Sequence, residues 1–194
     1  MRIGVFGGTF DPPHLGHLIV ASAAFETLRL ERILFVPAAV PPHKLGMVIA
    51  TAEQRLEMVK VSVAGDTRFE VDELELHRPG SSFTVDTLRT LRERHRGSEL
   101  FFLLGADQLR ELHTWRDPDE VSTLATLAVL SRGGDQLPEA GRYRFLPVAV
   151  PRIDIAATEI RRKVQAGESI RYLVTERVRE MIQDWGLYRK AKGR

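Results

Sequence analysis

Two histidines stand three residues apart in the segment Gly7-Gly8-Thr9-Phe10-Asp11-Pro12-Pro13-His14-Leu15-Gly16-His17. The residues before it, Ile3 to Phe6, form a short apolar run of strand type, and those after it, Leu18 to Leu30, carry a helical period. The imidazoles therefore fall where a strand turns into a helix. At the start of a helix a spacing of three puts both rings on nearly one face. In an open α/β sheet such a turn lies at the carboxyl end of a strand, where ligands bind. A helix N-terminus there offers unpaired backbone N–H groups to an anion, and Gly16 lets a ligand approach the backbone closely. These residue types in this order point to nucleotide phosphate chemistry. The spacing of Gly4, Gly7, Gly8 and Gly16 does not fit G-x-G-x-x-G, and no lysine follows as G-x-x-x-x-G-K-[ST] requires. A zinc site has little support, since H-E-x-x-H is absent and no cysteine exists to complete it. The local alternative is that His14 caps a turn and His17 packs in the core.

Further segments carry chemistry of the same kind. Val40-Pro41-Pro42-His43-Lys44 follows an apolar run, and its prolines stiffen a loop from which Lys44 reaches a phosphate or simply meets solvent. Ser81-Ser82-Phe83-Thr84 opens a helix after Pro79-Gly80, with Ser82 or Thr84 as caps and first-turn N–H groups turned to an anion. Gly105 permits close approach at a strand end, and Asp107 is placed to bond ribose hydroxyls or to cap a helix. Trp115, in a polar loop, either stacks on a flat heteroaromatic ring or packs as an outlying core residue. Arg132 ends a strand with a guanidinium suited to bidentate phosphate binding. At Ile155-Ala156-Ala157-Thr158-Glu159-Ile160-Arg161, Thr158 is expected to cap a helix and Arg161 lies one turn in, a second phosphate corner.

Strand and helix patterns alternate almost throughout. Strands are expected over 2–6, 32–37, 68–71, 100–104, 126–131 and 144–148, and helices over 17–30, 52–64, 84–94, 107–111, 118–124, 157–166 and 175–185. The apolar runs are short and continuous, as for strands covered on both faces. The fold expected is α/β, a doubly wound parallel sheet of five or six strands, in a single domain over 1–194. A core over 1–156 would carry a C-terminal helical extension over 157–194. Thr51, Glu53 and Gln54 form an expected cap region.

Composition sets outer limits. The 194 residues are 43% hydrophobic and 28% charged, ordinary for a globular protein. With no cysteine, disulfides and thiolate catalysis are excluded, and a reducing, cytoplasmic location is expected. No apolar run is long enough to span a bilayer, and the N-terminus already reads as a strand, so neither a membrane partner nor a signal peptide is expected. The net charge of +2 gives no reason to expect a nucleic-acid partner, and the basic tail from Arg189 reads as solvated.

The H-x-G-H core resembles that of a nucleotidyltransferase superfamily, similar in turn to the HIGH motif of class I aminoacyl-tRNA synthetases. Taken with V-P-P-H-K, S-S-F-T-x-D-T-L, L-x-G-x-D, T-W, I-x-x-T-E-I-R and the closing Gly186-Leu187-Tyr188, the chain resembles the bacterial nicotinate-nucleotide adenylyltransferases along essentially its whole length. Pantetheine-phosphate adenylyltransferases share H-x-G-H without combining the other motifs. The resemblance implies a Rossmann-like sheet and transfer of AMP from ATP to nicotinate mononucleotide, with Mg²⁺, in NAD biosynthesis. It implies catalytic roles for His14, His17 and Arg161, and ATP contacts from Gly7, Gly8, Thr9, Phe10, Gly16, Gly105, Asp107 and Thr158. Lys44, Ser82, Thr84, Trp115 and Arg132 would hold the mononucleotide, and no protein metal ligand is implied. Ala156 departs from the family's pattern, which often has serine there, so one triphosphate hydrogen bond is expected to be lost or replaced. Nicotinamide mononucleotide or phosphopantetheine as acceptor, and a non-catalytic nucleotide-binding module, are the competing readings; a homo-oligomer is left open.

Overall fold

The structure, a computed structural model, describes residues 1–41, 48–132 and 142–190, with Arg132 described for its backbone alone. Lys44 lies outside the described residues. Six strands form one sheet: β1 (Arg2–Gly8), β2 (Arg32–Pro37), β3 (Phe69–Val71), β4 (Glu99–Gly105), β5 (Thr126–Arg132) and β6 (Phe145–Val150). Their order is β3-β2-β1-β4-β5-β6, every neighbouring pair parallel. The chain thus winds outward from β1 in one direction and returns to wind outward from β4 in the other. The crevice between β1 and β4 at their carboxyl ends is where a doubly wound sheet takes a ligand.

The strands are covered on both faces, and their alternation assigns the faces. Ile3 and Val5 of β1, with Leu100, Phe102 and Leu104 of β4, pack with Val85, Leu88 and Leu91 of α3 (Thr84–Arg94) and Val121 of α5 (Pro118–Leu124). Phe6, Phe101 and Leu103 point the other way, onto Ala21 and Ala24 of α1 (Leu15–Thr27) and Val59 and Val63 of α2 (Ala52–Val63). A short α4 (Ala106–Glu111) follows β4 directly. The far side of α2 contributes Met58 to a third cluster. Ile160 of α6 (Ala157–Gln165), Val178 and Ile182 of α7 (Glu176–Asp184), and then Leu187 and Tyr188 complete it.

The helix ends differ from the periodic reading where capping overrides it. α1 begins at Leu15 because His14 is the extended cap residue, and it closes before Arg29, whose φ is +49°. Leu30 N–H then bonds back to the Phe25 carbonyl at 3.0 Å, a Schellman closure that buries Leu28 and Leu30 outside the helix. Thr51 caps α2 as expected: its hydroxyl accepts from Gln54 N–H at 3.2 Å and the Gln54 side chain accepts from Thr51 N–H at 3.0 Å.

Candidate active site

A cavity of about 660 Å³ opens over the carboxyl ends of β1 and β4. It is lined by the β1–α1 turn, including Gly7, Gly8, Thr9, Phe10, His14, Gly16 and His17. Ser82 and Thr84 line it from the start of α3, Gly105 and Trp115 from beyond β4, and Thr158 and Arg161 from α6. Residues that the sequence distributes over 155 positions therefore share one wall-to-wall space.

At its base the two imidazoles stack, with centroids 3.6 Å apart and planes 22° from parallel. His14 occupies the helix cap and its N–H donates to His17 Nδ1 at 3.1 Å. In the neutral ring that assigns the His17 proton to Nε2. The local alternative and the ligand-facing one are thus one arrangement: the pair caps α1 and lines the cavity. Gly16 lines the cavity and also has a steric reason to be glycine. A Cβ there would lie 2.9 Å from His14 Nδ1, and one at Gly8 would lie 2.8 Å from the Phe10 ring, so both glycines make room for neighbouring rings. Phe10 itself has φ +50°, an unfavourable conformation for a large side chain, of the kind found at functional turns. Its buried ring meets His17 edge-on at 5.0 Å.

The turn is held by side chains that sequence reasoning missed. Arg55, 1% exposed, reaches from α2 and donates to the carbonyls of Thr9 (2.7 Å), Ala39 (3.0 Å) and Ala50 (3.3 Å). Burial pulls its guanidinium below its ordinary pKa, opposed by the Asp11 charge. Asp11, 4% exposed, accepts through its carboxylate from the N–H groups of Ile49 (2.9 Å) and Ala50 (3.2 Å). Tyr188 donates to the same carboxylate at 2.6 Å, and Arg161 donates to the Asp11 carbonyl at 2.7 Å. Arg55 had no signal in the sequence; Asp11 and Tyr188 stood in the quoted motifs without a role, and Arg161 was expected at the site for its phosphate contacts only.

Neither expected hydroxyl caps α3. Phe83 holds the cap position without a side-chain hydrogen bond, so the helix start is left to its backbone N–H groups. Ser82 accepts from Val40 N–H at 3.2 Å and donates to Glu75, tying the α3 entry to the segment after β2. Glu75 also accepts from Thr87; burial pushes its carboxyl up, opposed by these two hydroxyls. Trp115 takes the core-packing role foreseen for it, meeting Phe102 edge-on at 6.1 Å against the core cluster, and it also lines the cavity. Beside it Arg116 lies over the Phe83 ring at 4.9 Å.

Two placements depart from expectation. Thr158 is not the α6 cap; extended Ala156 is, again with no side-chain bond, and Thr158 sits in the first turn. Asp107 does not reach the cavity lining: its side chain is 94% exposed and pairs with Arg110, because Gly105 takes the cap position and Gln108 bonds back to the Gly105 N–H at 2.9 Å. Gln108 and Glu111 line the space instead. Among the described residues no group of three or more His, Asp or Glu side chains is arranged to hold a metal ion. No helix among them is long and apolar enough to cross a membrane.

Residues 5–163 match the family described as Cytidylyltransferase-like. The chain is 50% identical over 189 residues to a protein of Thermus thermophilus named "Probable nicotinate-nucleotide adenylyltransferase", covering 97% of this chain and 100% of that one. A protein of the same name from Rubrobacter xylanophilus is 44% identical over 198 residues, covering 97% and 92%. Among solved structures, Plasmodium falciparum nicotinic acid mononucleotide adenylyltransferase complexed with NaAD superposes with a TM-score of 0.82 at 19% identity, covering 96% and 97%. The same enzyme complexed with APC gives 0.80 at 18% identity, covering 96% of each chain. At that identity the likeness is one of fold.

Proposed function

We infer that this chain, which belongs to the nicotinate-nucleotide adenylyltransferase family, joins the AMP moiety of ATP to nicotinate mononucleotide, giving nicotinate adenine dinucleotide and pyrophosphate in NAD biosynthesis. The observation that carries the residue assignment is the stacked His14–His17 pair and Arg161 lining one cavity at the switch point of the sheet.

A phosphate oxygen of the mononucleotide attacks the α-phosphorus of ATP, and pyrophosphate leaves in line. The nucleophile is already an anion, so no covalent enzyme intermediate or strong base is required; the protein positions two anions and offsets their repulsion. His17, with Nδ1 engaged by His14 N–H, presents Nε2–H as a donor to the phosphates. Arg161 commits Nη1 to the Asp11 carbonyl, which orients the remaining guanidinium donors for the triphosphate. Thr158 and the first-turn N–H groups of α6 join it, and Gly7, Gly8, Thr9, Phe10, Gly16 and Gly105 shape the ATP channel. Asp107, outside the cavity lining, would have to turn from Arg110 to contact ribose.

The acceptor lies at the start of α3. Its first-turn N–H groups, uncapped by a side chain, suit the nicotinate carboxylate near Thr84, with Ser82 fixing that entry and Trp115 taking the ring. Lys44 and Arg132 are further phosphate contacts, argued from their motifs alone. A divalent metal, read as Mg²⁺ arriving with ATP, would supply charge neutralisation for the leaving pyrophosphate.

The test is pyrophosphate release from MgATP with nicotinate and nicotinamide mononucleotides compared side by side. A site that donates to a carboxylate leaves donors poorly paired against an amide, so kcat/KM with the acid should exceed that with the amide by at least tens-fold. Comparable efficiencies would overturn the acid-specific assignment.

A further inference from the structure

Asp11 joins four segments that are distant in the sequence. It belongs to the nucleotide turn, its carboxylate holds the backbone of Ile49 and Ala50, its carbonyl holds Arg161 of α6, and Tyr188 reaches it from 177 residues away. A carboxylate this buried must have donors or pay heavily in lost hydration. Arg55 lies close enough to act on it electrostatically, but its N–H groups are directed to the carbonyls of Thr9, Ala39 and Ala50. Tyr188 supplies the side-chain donor. Its placement is built in: the chain turns back after α7 at Gly186, φ +63°, and Leu187 N–H bonds back to the Ile182 carbonyl at 3.0 Å. This reversal seats Leu187 and Tyr188 in the third core cluster, with Tyr188 3% exposed. Burial and Asp11 keep the phenol protonated, so it acts as donor.

We propose that Tyr188 is a positioning residue for ATP: by donating to the Asp11 carboxylate it fixes the Asp11 carbonyl, and that carbonyl sets the Arg161 guanidinium in the cavity. The proposal goes beyond the functional reading but rests on its placement of the triphosphate beside Arg161. Packing alone does not require this arrangement. The Tyr188 ring is already buried among Ile160, Val178 and Ile182, and its hydroxyl selects the residue that also holds Arg161.

Tyr188→Phe in the full chain keeps the ring and removes the donor. Binding of a non-hydrolysable MgATP analogue, measured calorimetrically without acceptor, should weaken roughly tenfold, the scale of one hydrogen bond to a charged group. The KM for nicotinate mononucleotide should change little. In an Arg161→Lys background the same substitution should lose most of its effect, because the residue through which it acts is already impaired. Unchanged analogue binding, or an equal loss in both backgrounds, would overturn the proposal. Should Tyr188→Phe fail to fold, Asp11→Asn, which weakens the same bond and keeps the carbonyl, is expected to show the same ATP-selective, Arg161-dependent loss. The readout uses no acceptor, so failed transfer to nicotinate mononucleotide counts against the functional reading and not against this one.

Discussion

His17 Nδ1 accepts the cap N–H of α1, and the proposed mechanism gives the Nε2 side of the same ring to phosphate. Replacement by alanine should therefore lower turnover by more than about a hundredfold, the scale of losing a positioned transition-state donor. Near-native kcat in a normally folded His17→Ala protein would remove the residue from the mechanism. Ala156 presents the opposite case, a position with too little side chain. It holds the α6 cap without a side-chain hydrogen bond, so Ala156→Ser should stabilise the protein by about 0.5–2 kcal/mol in chemical unfolding. ATP affinity should shift by no more than the net value of one hydrogen bond, about 0.5–1.5 kcal/mol. A destabilised Ala156→Ser protein would show that its hydroxyl does not reach the helix start.

The helices beyond β6 carry a pH signature. Hydrogen bonds from Arg162 and Lys163 hold Glu168 at about 2, and those from Arg179 and Arg171 hold Glu176 at about 2, against an ordinary value of 4.5. A lowered folded-state pKa contributes stability that is complete above the ordinary value and lost as pH falls toward the lowered one. Melting temperature should therefore decline between pH 4.5 and 2, in part through α6 and α7. Both carboxylates are exposed, so the effect should be small and weakened by salt. Glu168→Gln should flatten this acid limb, and an identical limb in the variant would assign acid sensitivity elsewhere. The same helices show why element ends were hard to read. Period and composition placed α6 and α7 correctly, whereas the α1 terminus depends on Arg29 taking a left-handed conformation that its residue type does not announce.

For the molecule as a whole, the sheet was legible because runs such as Phe101 to Leu104 are apolar on both faces, and parallel order follows from their alternation with helices. The histidine pair was legible because its spacing acts within one helical turn. The scaffold around it was not. Arg55 reads as one more charge on an amphipathic helix until its partners, up to 46 residues away, are known. Glu75 likewise reads as a surface charge until Thr87 and Ser82 close on it. Such pairings are set by tertiary contact, which no local pattern encodes.

The strand order also bears on how the chain is made. β1 leaves the ribosome first yet ends in the middle of the sheet, and β4, its partner from Glu99 onward, emerges after β2 and β3 are complete. Until then the nascent polypeptide holds one edge of β1 open, its unpaired backbone N–H and C=O groups a template for pairing with other chains. The crevice at the β1–β4 junction has no second wall during that interval. Nucleotide therefore cannot assist the early part of synthesis.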